Sequence, residues 1–288
     1  MTIDKTNQTI KLKDGRTLGY AEYGAPEGKP VFYFHGFPSS RLDWHLFDTA
    51  NTTAARLGAH IIEIERPGMG LSDFKRGRKI LDWPDDVTEL ADALAIDRFA
   101  VLGISGGGPY AIVCAFKIPE RLTATAIVCG MGPSEAPRAK DGTAMLLPGK
   151  SPLLRKLLLV LMARGMRSNP DRFLSKMIDA VSEPDKLLLA KPEVKQMFID
   201  SLREAFRSGT RGASWDATIY ARPWGFQLQD ISMEVHLWHG ELDTQVPVSV
   251  GRYVANAIPN CRARFLPDEG HHSLAYNHIE DILSVLVA

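Results

Sequence analysis

Short apolar runs separated by Gly, Pro and charged residues dominate the chain up to about residue 130. Ile10 to Leu12 and Thr17 to Tyr23 flank Asp14-Gly15, a dipeptide that accepts the positive φ of a tight turn, and so predict a β-hairpin. Val31 to Phe34, Ile61 to Ile64 and Phe99 to Leu102 are continuous apolar runs, the pattern of strands buried on both faces. Between them, stretches from about Asp43 to Leu57 and about Trp83 to Ala95 carry apolar residues at helical spacing. A further helix is predicted after Ser105, with Ala111, Cys114, Ala115 and Ile118 on one stripe and Pro119 closing it. Pro109 falls in its first turn, where backbone N–H groups have no intrahelical partner to lose. Ala124 to Cys129 reads as another buried strand.

The rhythm then changes. Residues 134–229 offer helical patterns and loops without a convincing strand. Alternation resumes with a strand at Val235 to Trp238, a helix at Val248 to Ala257, a strand at Ala263 to Leu266 and a terminal helix ending near Val287. Strands alternating with helices imply the α/β class, with a mostly parallel sheet flanked by helices. The simplest partition is one sheet domain, residues 1–133 and 230–288, with a helical insertion, residues 134–229, between two strands.

Charge narrows the range of partners. Lys plus Arg and Asp plus Glu both number 34, so there is no basic excess to neutralise phosphates and nucleic acid is not expected. A chain of 288 residues buries enough surface to hold a core without disulfides or a metal. Its three cysteines, Cys114, Cys129 and Cys261, sit beside apolar residues and read as reduced thiols. Met1 to Asp14 has no apolar leader, and the run from Leu157 to Ala163 is far short of the roughly 20 residues a membrane span requires. The expectation is a cytoplasmic protein with no membrane insertion, acting on a small molecule, its oligomeric state unreadable from sequence.

Four segments carry candidate chemistry. Gly103-Ile104-Ser105-Gly106-Gly107 fits G-x-S-x-G between a strand and a helix, where small neighbours leave a serine hydroxyl exposed on a sharp turn. His35-Gly36-Phe37-Pro38 ends a strand, and the backbone N–H groups of Phe37 and Gly106 are the candidate oxyanion hole. Acidic residues follow the strand at Val235 to Trp238; Asp243 is the candidate that orients a catalytic imidazole, with Glu241 the rival. Gly270-His271-His272 follows the last strand, His271 being the candidate base and His272 the alternative. Gly106 to Ala111 also fits the dinucleotide fingerprint, but lacks an acidic residue about 20 positions on, so no cofactor is expected. The 8 histidines have no metal-ligand spacing, and no metal is expected.

At these residues the sequence resembles the α/β-hydrolase superfamily, in particular its cap-bearing esterase and peptidase-like branch. The order Ser105, Asp243, His271 agrees with it, as does Glu65-Arg66-Pro67-Gly68-Met69-Gly70-Leu71-Ser72, which looks like the family's D-R-P-G-x-G-x-S turn with Glu in place of Asp. The resemblance implies the α/β-hydrolase fold, the insertion forming a helical cap, and a serine hydrolase working through an acyl-enzyme. Carboxylic esters or lactones are the leading substrates. An aminopeptidase, an amidase or a carbon-carbon bond hydrolase could use the same residues, and a silent small-molecule binding protein is the alternative of a different class. Epoxide hydrolases and haloalkane dehalogenases are disfavoured, since they place Asp where Ser105 stands.

The insertion holds the candidate substrate pocket. Leu153, Leu154, Leu157, Leu158, Leu161 and Met162 follow a helical stripe that could line it, as could Trp215, Tyr220, Trp224 and Phe226. The stretch from Arg138 to Arg172 carries basic residues, Lys140, Lys150, Arg155, Lys156, Arg164 and Arg167 among them, against Asp141 and Asp171, which offers either attraction for an anion or a solvated helix face. Glu63, inside an apolar strand pattern, has no explanation in the sequence.

Overall fold

Leu12 N donates to Arg16 O at 2.9 Å and Gly15 takes a φ of 84°, so the Asp14-Gly15 turn closes a hairpin of β1 (Gln8–Lys11) and β2 (Thr17–Gly24). The structure, a computed structural model, describes residues 4–46, 49–137 and 152–288. Six further strands extend the sheet: β3 (Lys29–Phe34), β4 (Ala59–Ile64), β5 (Phe99–Ile104), β6 (Leu122–Val128), β7 (Val235–Gly240) and β8 (Cys261–Leu266). Their order is β1-β2-β4-β3-β5-β6-β7-β8. The hairpin joins β4 antiparallel, and every pairing from β4 to β8 is parallel.

Because side chains alternate along a strand, each apolar run serves two cores. Val31 and Tyr33 face one layer with α1 (Ala50–Leu57) and the terminal α10 (His272–Leu286). Phe32 and Phe34 face the other, with α2 (Trp83–Ala93), α3 (Gly108–Lys117) and α9 (Val248–Ala257). Burial on both faces is what makes these strands read as continuous apolar runs. The helix expected from Asp43 to Leu57 is divided: Asp43–Leu46 is a 3-10 turn, and α1 begins only at Ala50. Asp43 is drawn onto the end of β3, accepting hydrogen bonds from Tyr33 Oη at 2.9 Å and Gly36 N at 3.2 Å, while Glu63 takes Trp44 N at 3.0 Å.

Between β6 and β7 lie α4 (Pro152–Ser168), α5 (Pro170–Ile178), α6 (Glu183–Leu189), α7 (Pro192–Ala205) and α8 (Arg211–Tyr220). Arg138, Lys140, Asp141 and Lys150 of the basic stretch lie outside the described residues. Of its remainder, Lys156, Arg164 and Arg172 are exposed, whereas Arg155 is buried. Leu153, Leu157 and Leu161 also face outward.

Charge joins these helices to the sheet and the elements around it. Asp216 of α8 is fully buried between Arg66, 2.6 Å away, and Arg78, and accepts Tyr110 Oη at 2.8 Å. Glu204 of α7 meets Arg41 at 2.6 Å, and the same guanidinium pairs with buried Glu65 at 2.8 Å. Removing one member of such a cluster leaves the others charged in a dry interior. Asp216→Ala should therefore cost about 3–5 kcal/mol in chemical denaturation, whereas Asp171→Ala, breaking the exposed Lys195 pair, should leave the midpoint unmoved. Equal midpoints for the two variants would mean that the Asp216 cluster contributes nothing.

Candidate active site

Ser105 follows β5 at a φ of 54°, a left-handed conformation that costs a non-glycine residue energy. The turn is tight enough that its glycines have no room for a side chain. A Cβ on Gly103 would stand 2.5 Å from Gly107 O, and one on Gly107 would collide with Phe34 O. Thus the turn before α3 and the end of β3 pass at backbone distance, which sets Ser105 beside the His35-Gly36-Phe37-Pro38 segment; the Phe37-Pro38 peptide is cis.

Two peptide groups next to Ser105 have their carbonyls tied back. Gly36 O accepts Arg66 Nη2 at 2.6 Å, and Ser105 O accepts Met131 N at 2.9 Å. In a planar trans peptide the N–H points opposite to the carbonyl, so the N–H groups of Phe37 and Gly106 are turned away from those anchors. The two residues pack together: a Cβ on Gly106 would lie 3.1 Å from Phe37 N. Arg66 also donates to His35 O at 2.6 Å, and Asp216 holds its Nε. Tyr220 Oη donates to Gly106 O at 2.8 Å, and its ring meets Phe37 edge-on.

The loops after β7 and β8 bring in the acid and the imidazole. Asp243 Oδ2 lies 2.7 Å from His271 Nδ1, and Oδ1 accepts the N–H groups of Gln245 and Val246 at 2.8 Å each. Burial works against the charge on Asp243, yet the His271 imidazole and these hydrogen bonds hold its carboxyl below the usual range. An ionised carboxylate can only accept, so His271 Nδ1 carries the proton and Nε2 is left as the acceptor. Burial likewise opposes protonation of His271, but the Asp243 charge and hydrogen bond outweigh it, and its pKa is raised. His272 is the opposite case: burial, then the neighbouring His271, push it down to about 4, and Gln245 Nε2 lies 2.8 Å from its Nε2. The rival acid Glu241 instead pairs with Arg252 at 2.5 Å on the surface. Cys129, Asp243 and His271 are the one group among the described residues close enough to share a metal. Burial pushes the Cys129 thiol well up and keeps it protonated, which suits packing rather than ligation.

Ser105, His271 and Phe37 line a cavity of about 80 Å³ whose apolar wall includes Met177, Leu188, Val194 and Phe198 of the inserted helices. None of the pocket candidates read from the sequence lines it. Leu158 is half-buried on α4; Trp215 packs on Phe74 and donates Nε1 to Arg78 O; Trp224 sits in the main core. Tyr220 comes nearest, but stands behind the Gly106 peptide. Phe226 stacks on Phe116 at 4.5 Å, away from the cavity. The four aromatics pack on the main core instead, and the wall is drawn from other turns. Sequence reasoning also passed over Asp185, Asp216 and Met131, whose roles arise only when distant segments meet.

Residues 29–277 match the family described as the alpha/beta hydrolase fold, and the chain belongs to that family. A non-heme chloroperoxidase of Streptomyces lividans is 31% identical over 127 residues, 43% of this chain and 45% of that protein. The chain's matches span less than half the length of the first curated relatives. Among solved structures, a hydrolase from Pseudomonas aeruginosa PA01 superposes with a TM-score of 0.75 at 23% identity, over 98% of each chain. The esterase EaEST from Exiguobacterium antarcticum gives 0.70 at 19% identity, again over 98% of each. At such identities the likeness is one of fold. Among the described residues no helix is long and apolar enough to cross a membrane.

The two adjacent imidazoles should separate in a proton NMR titration. His271 should titrate above the ordinary 6.5 and drop when Asp243→Asn removes the neighbouring charge, while His272 stays neutral down to about pH 4. A His272 that titrates above His271 would reverse the assignment.

Proposed function

We propose that this protein is a serine hydrolase that cleaves small carboxylic esters or lactones through an acyl-enzyme on Ser105. One arrangement supports the reading above others: two back-anchored peptides beside Ser105, which shares a cavity with His271, itself paired with Asp243. Ser105 Oγ attacks the carbonyl carbon and passes its proton to His271 Nε2, while the N–H groups of Phe37 and Gly106 take the developing oxyanion. His271 then protonates the leaving alkoxide as the ester C–O bond breaks. Water, deprotonated by the same nitrogen, attacks the acyl group, and the free acid leaves as Ser105 recovers its proton. Asp243 holds the tautomer and stabilises the imidazolium without itself being protonated. No cofactor enters the scheme.

In this reading α4 to α8 form the cap, and their apolar wall selects the acyl group. The free cysteines suit a cytoplasmic location. Esters lead over amides and carbon-carbon bonds because the alkoxide is the easiest of the three leaving groups to expel. Aminoacyl anilides turned over faster than p-nitrophenyl esters would favour the peptidase reading, and a native protein that neither hydrolyses nor labels would favour a binding protein.

A fluorophosphonate probe should label the native protein and not Ser105→Ala, whose kcat/KM on p-nitrophenyl acetate should fall about 10³-fold or more. The base must be neutral, so kcat/KM should rise with pH through the pKa of His271, on the high side of 6.5. Labelling of Ser105→Ala at the native rate, or an activity that declines through that range, would sink the assignment.

The small cavity further favours short acyl chains, with acetyl to butyryl esters as the best substrates. Phe198→Ala, which opens the wall, should move the optimum to longer chains while fluorophosphonate labelling persists, because each added methylene then buried contributes about 0.8 kcal/mol. An unaltered chain-length profile would remove Phe198 from the acyl site.

A further inference from the structure

Helix α10 starts beside the histidine pair, and the N–H groups of its first turn have no acceptor within the helix. His271, which precedes it, supplies no side-chain cap. The acceptor arrives from the inserted helices. Asp185 of α6 takes His271 N through Oδ2 at 2.8 Å, and the N–H groups of His272 and Ser273 through Oδ1, each at 2.8 Å. Ser182 Oγ steadies the same carboxylate at 2.9 Å. Asp185 is fully buried, and its approach requires glycine at position 270, where a Cβ would stand 2.5 Å from Oδ2. A negative charge on a helix N-terminus is favourable in itself, but three hydrogen bonds to consecutive N–H groups also fix where the backbone of His271 lies.

We propose that Asp185 is the positioning residue for His271: it holds the histidine backbone from the inserted helices, so that seating of α6 is a condition for Nε2 to reach Ser105. This rests on the reading of Ser105 and His271 as nucleophile and base. The imidazole is then held at two points, by Asp243 at Nδ1 and by Asp185 at the main chain, and the direction of Nε2 follows. With only the first point fixed, the ring could swing on its hydrogen bond to Asp243 as the loop shifts.

The same carboxylate acts electrostatically. The titratable groups around His271 are Asp243 after β7, Asp185 on α6, Asp43 after β3, the neighbouring His272, His239 at the end of β7, and the Cys129 thiol. The carboxylates favour the imidazolium, whereas His272 and His239, whose own protonation is pushed down by burial and by His271, and the neutral thiol add no charge. Loss of the Asp185 charge should therefore lower the pKa of His271.

The test uses the full chain with Asp185→Asn, and Glu183→Gln, an exposed position on the same helix, as control. On p-nitrophenyl acetate, Asp185→Asn should lose about 10²-fold in kcat, the scale of an ångström-sized misplacement, with KM little changed. The acid limb of kcat/KM should move to lower pH. Ser182→Ala should act in the same direction and less, and Glu183→Gln should match the native protein. The end-point of fluorophosphonate labelling counts natively folded sites; a fall in kcat matched by a fall in labelled sites, with the limb unmoved, would reduce Asp185 to a fold-stabilising role and overturn the proposal. Wild-type kcat and limb in Asp185→Asn would overturn it too. NMR titration of His271 in native and Asp185→Asn protein decides the electrostatic part without turnover. An unshifted pKa there counts against Asp185 alone, whereas an unlabelled native Ser105 counts against the hydrolase reading.

Discussion

The strand-end chemistry depends on one close approach: the backbone at Gly107 lies so near the carbonyl of Phe34 that no side chain fits between them. Since β3 and β5 are direct neighbours, with Phe34 opposite Gly103, this contact fixes how the segments leaving both strands run beside each other. Ser105 takes its left-handed φ as a consequence, a strain on the order of 1–3 kcal/mol that persists only because the surroundings over-determine it. Those surroundings include Met131 N on Ser105 O and Arg66 on Gly36 O. The same bonds that hold the strained turn also aim the two N–H groups. Strain and preorganisation are therefore a single arrangement here, and a side chain at Gly107 would disturb both.

A second constraint is the cost of burying charge. Asp185, Glu204 and Asp216 stand on three successive helices between β6 and β7, and each carboxylate meets a group elsewhere in the fold: the first turn of α10, Arg41, and the Arg66–Arg78 pair. Separating any of these contacts leaves a desolvated charge without its partner, which costs more than the contact is worth when formed. The inserted helices consequently act on the site through the loops they hold, beyond walling the cavity.

What could be read in the sequence was whatever depends on local backbone. Strand against helix follows from periodicity, the Asp14-Gly15 turn from its tolerance of positive φ, and the Ser105 turn from the glycines around it. Ser105, Asp243 and His271 are readable as candidates because each lies in a segment leaving the carboxyl end of a strand, and parallel strands deliver those ends to one edge. The pocket was not readable. Trp215, Trp224 and Phe226 are apolar residues of the stretch between β6 and β7, as are Met177, Leu188 and Phe198, and only the packing decides which set meets the cavity. The neighbours of Asp43 fit a helical period, while its carboxylate serves Gly36, Ser39 and Tyr33 through bonds no periodicity encodes.

Glu63, unexplained by sequence, takes on meaning as one of two buried carboxyls. Burial and the nearby Asp43 push its carboxyl well up. Asp43, although also raised by burial, receives Ser39 Oγ, Gly36 N and Tyr33 Oη, whereas Glu63 receives Trp44 N and leaves Oε1 without a partner. Since two adjacent buried carboxyls resist ionising together, the proton belongs on Glu63 and the charge on Asp43, which has the more donors. That places Asp43 with Asp185 and Asp243 as the negative groups favouring a protonated His271. Behind Phe37 the sign is reversed, because Arg66 and Arg78 share the single carboxylate of Asp216 and retain an excess of positive charge. A proton moving from Ser105 to His271 while charge gathers on an oxygen near Phe37 and Gly106 would move with this field, its two ends fixed in place before any substrate arrives.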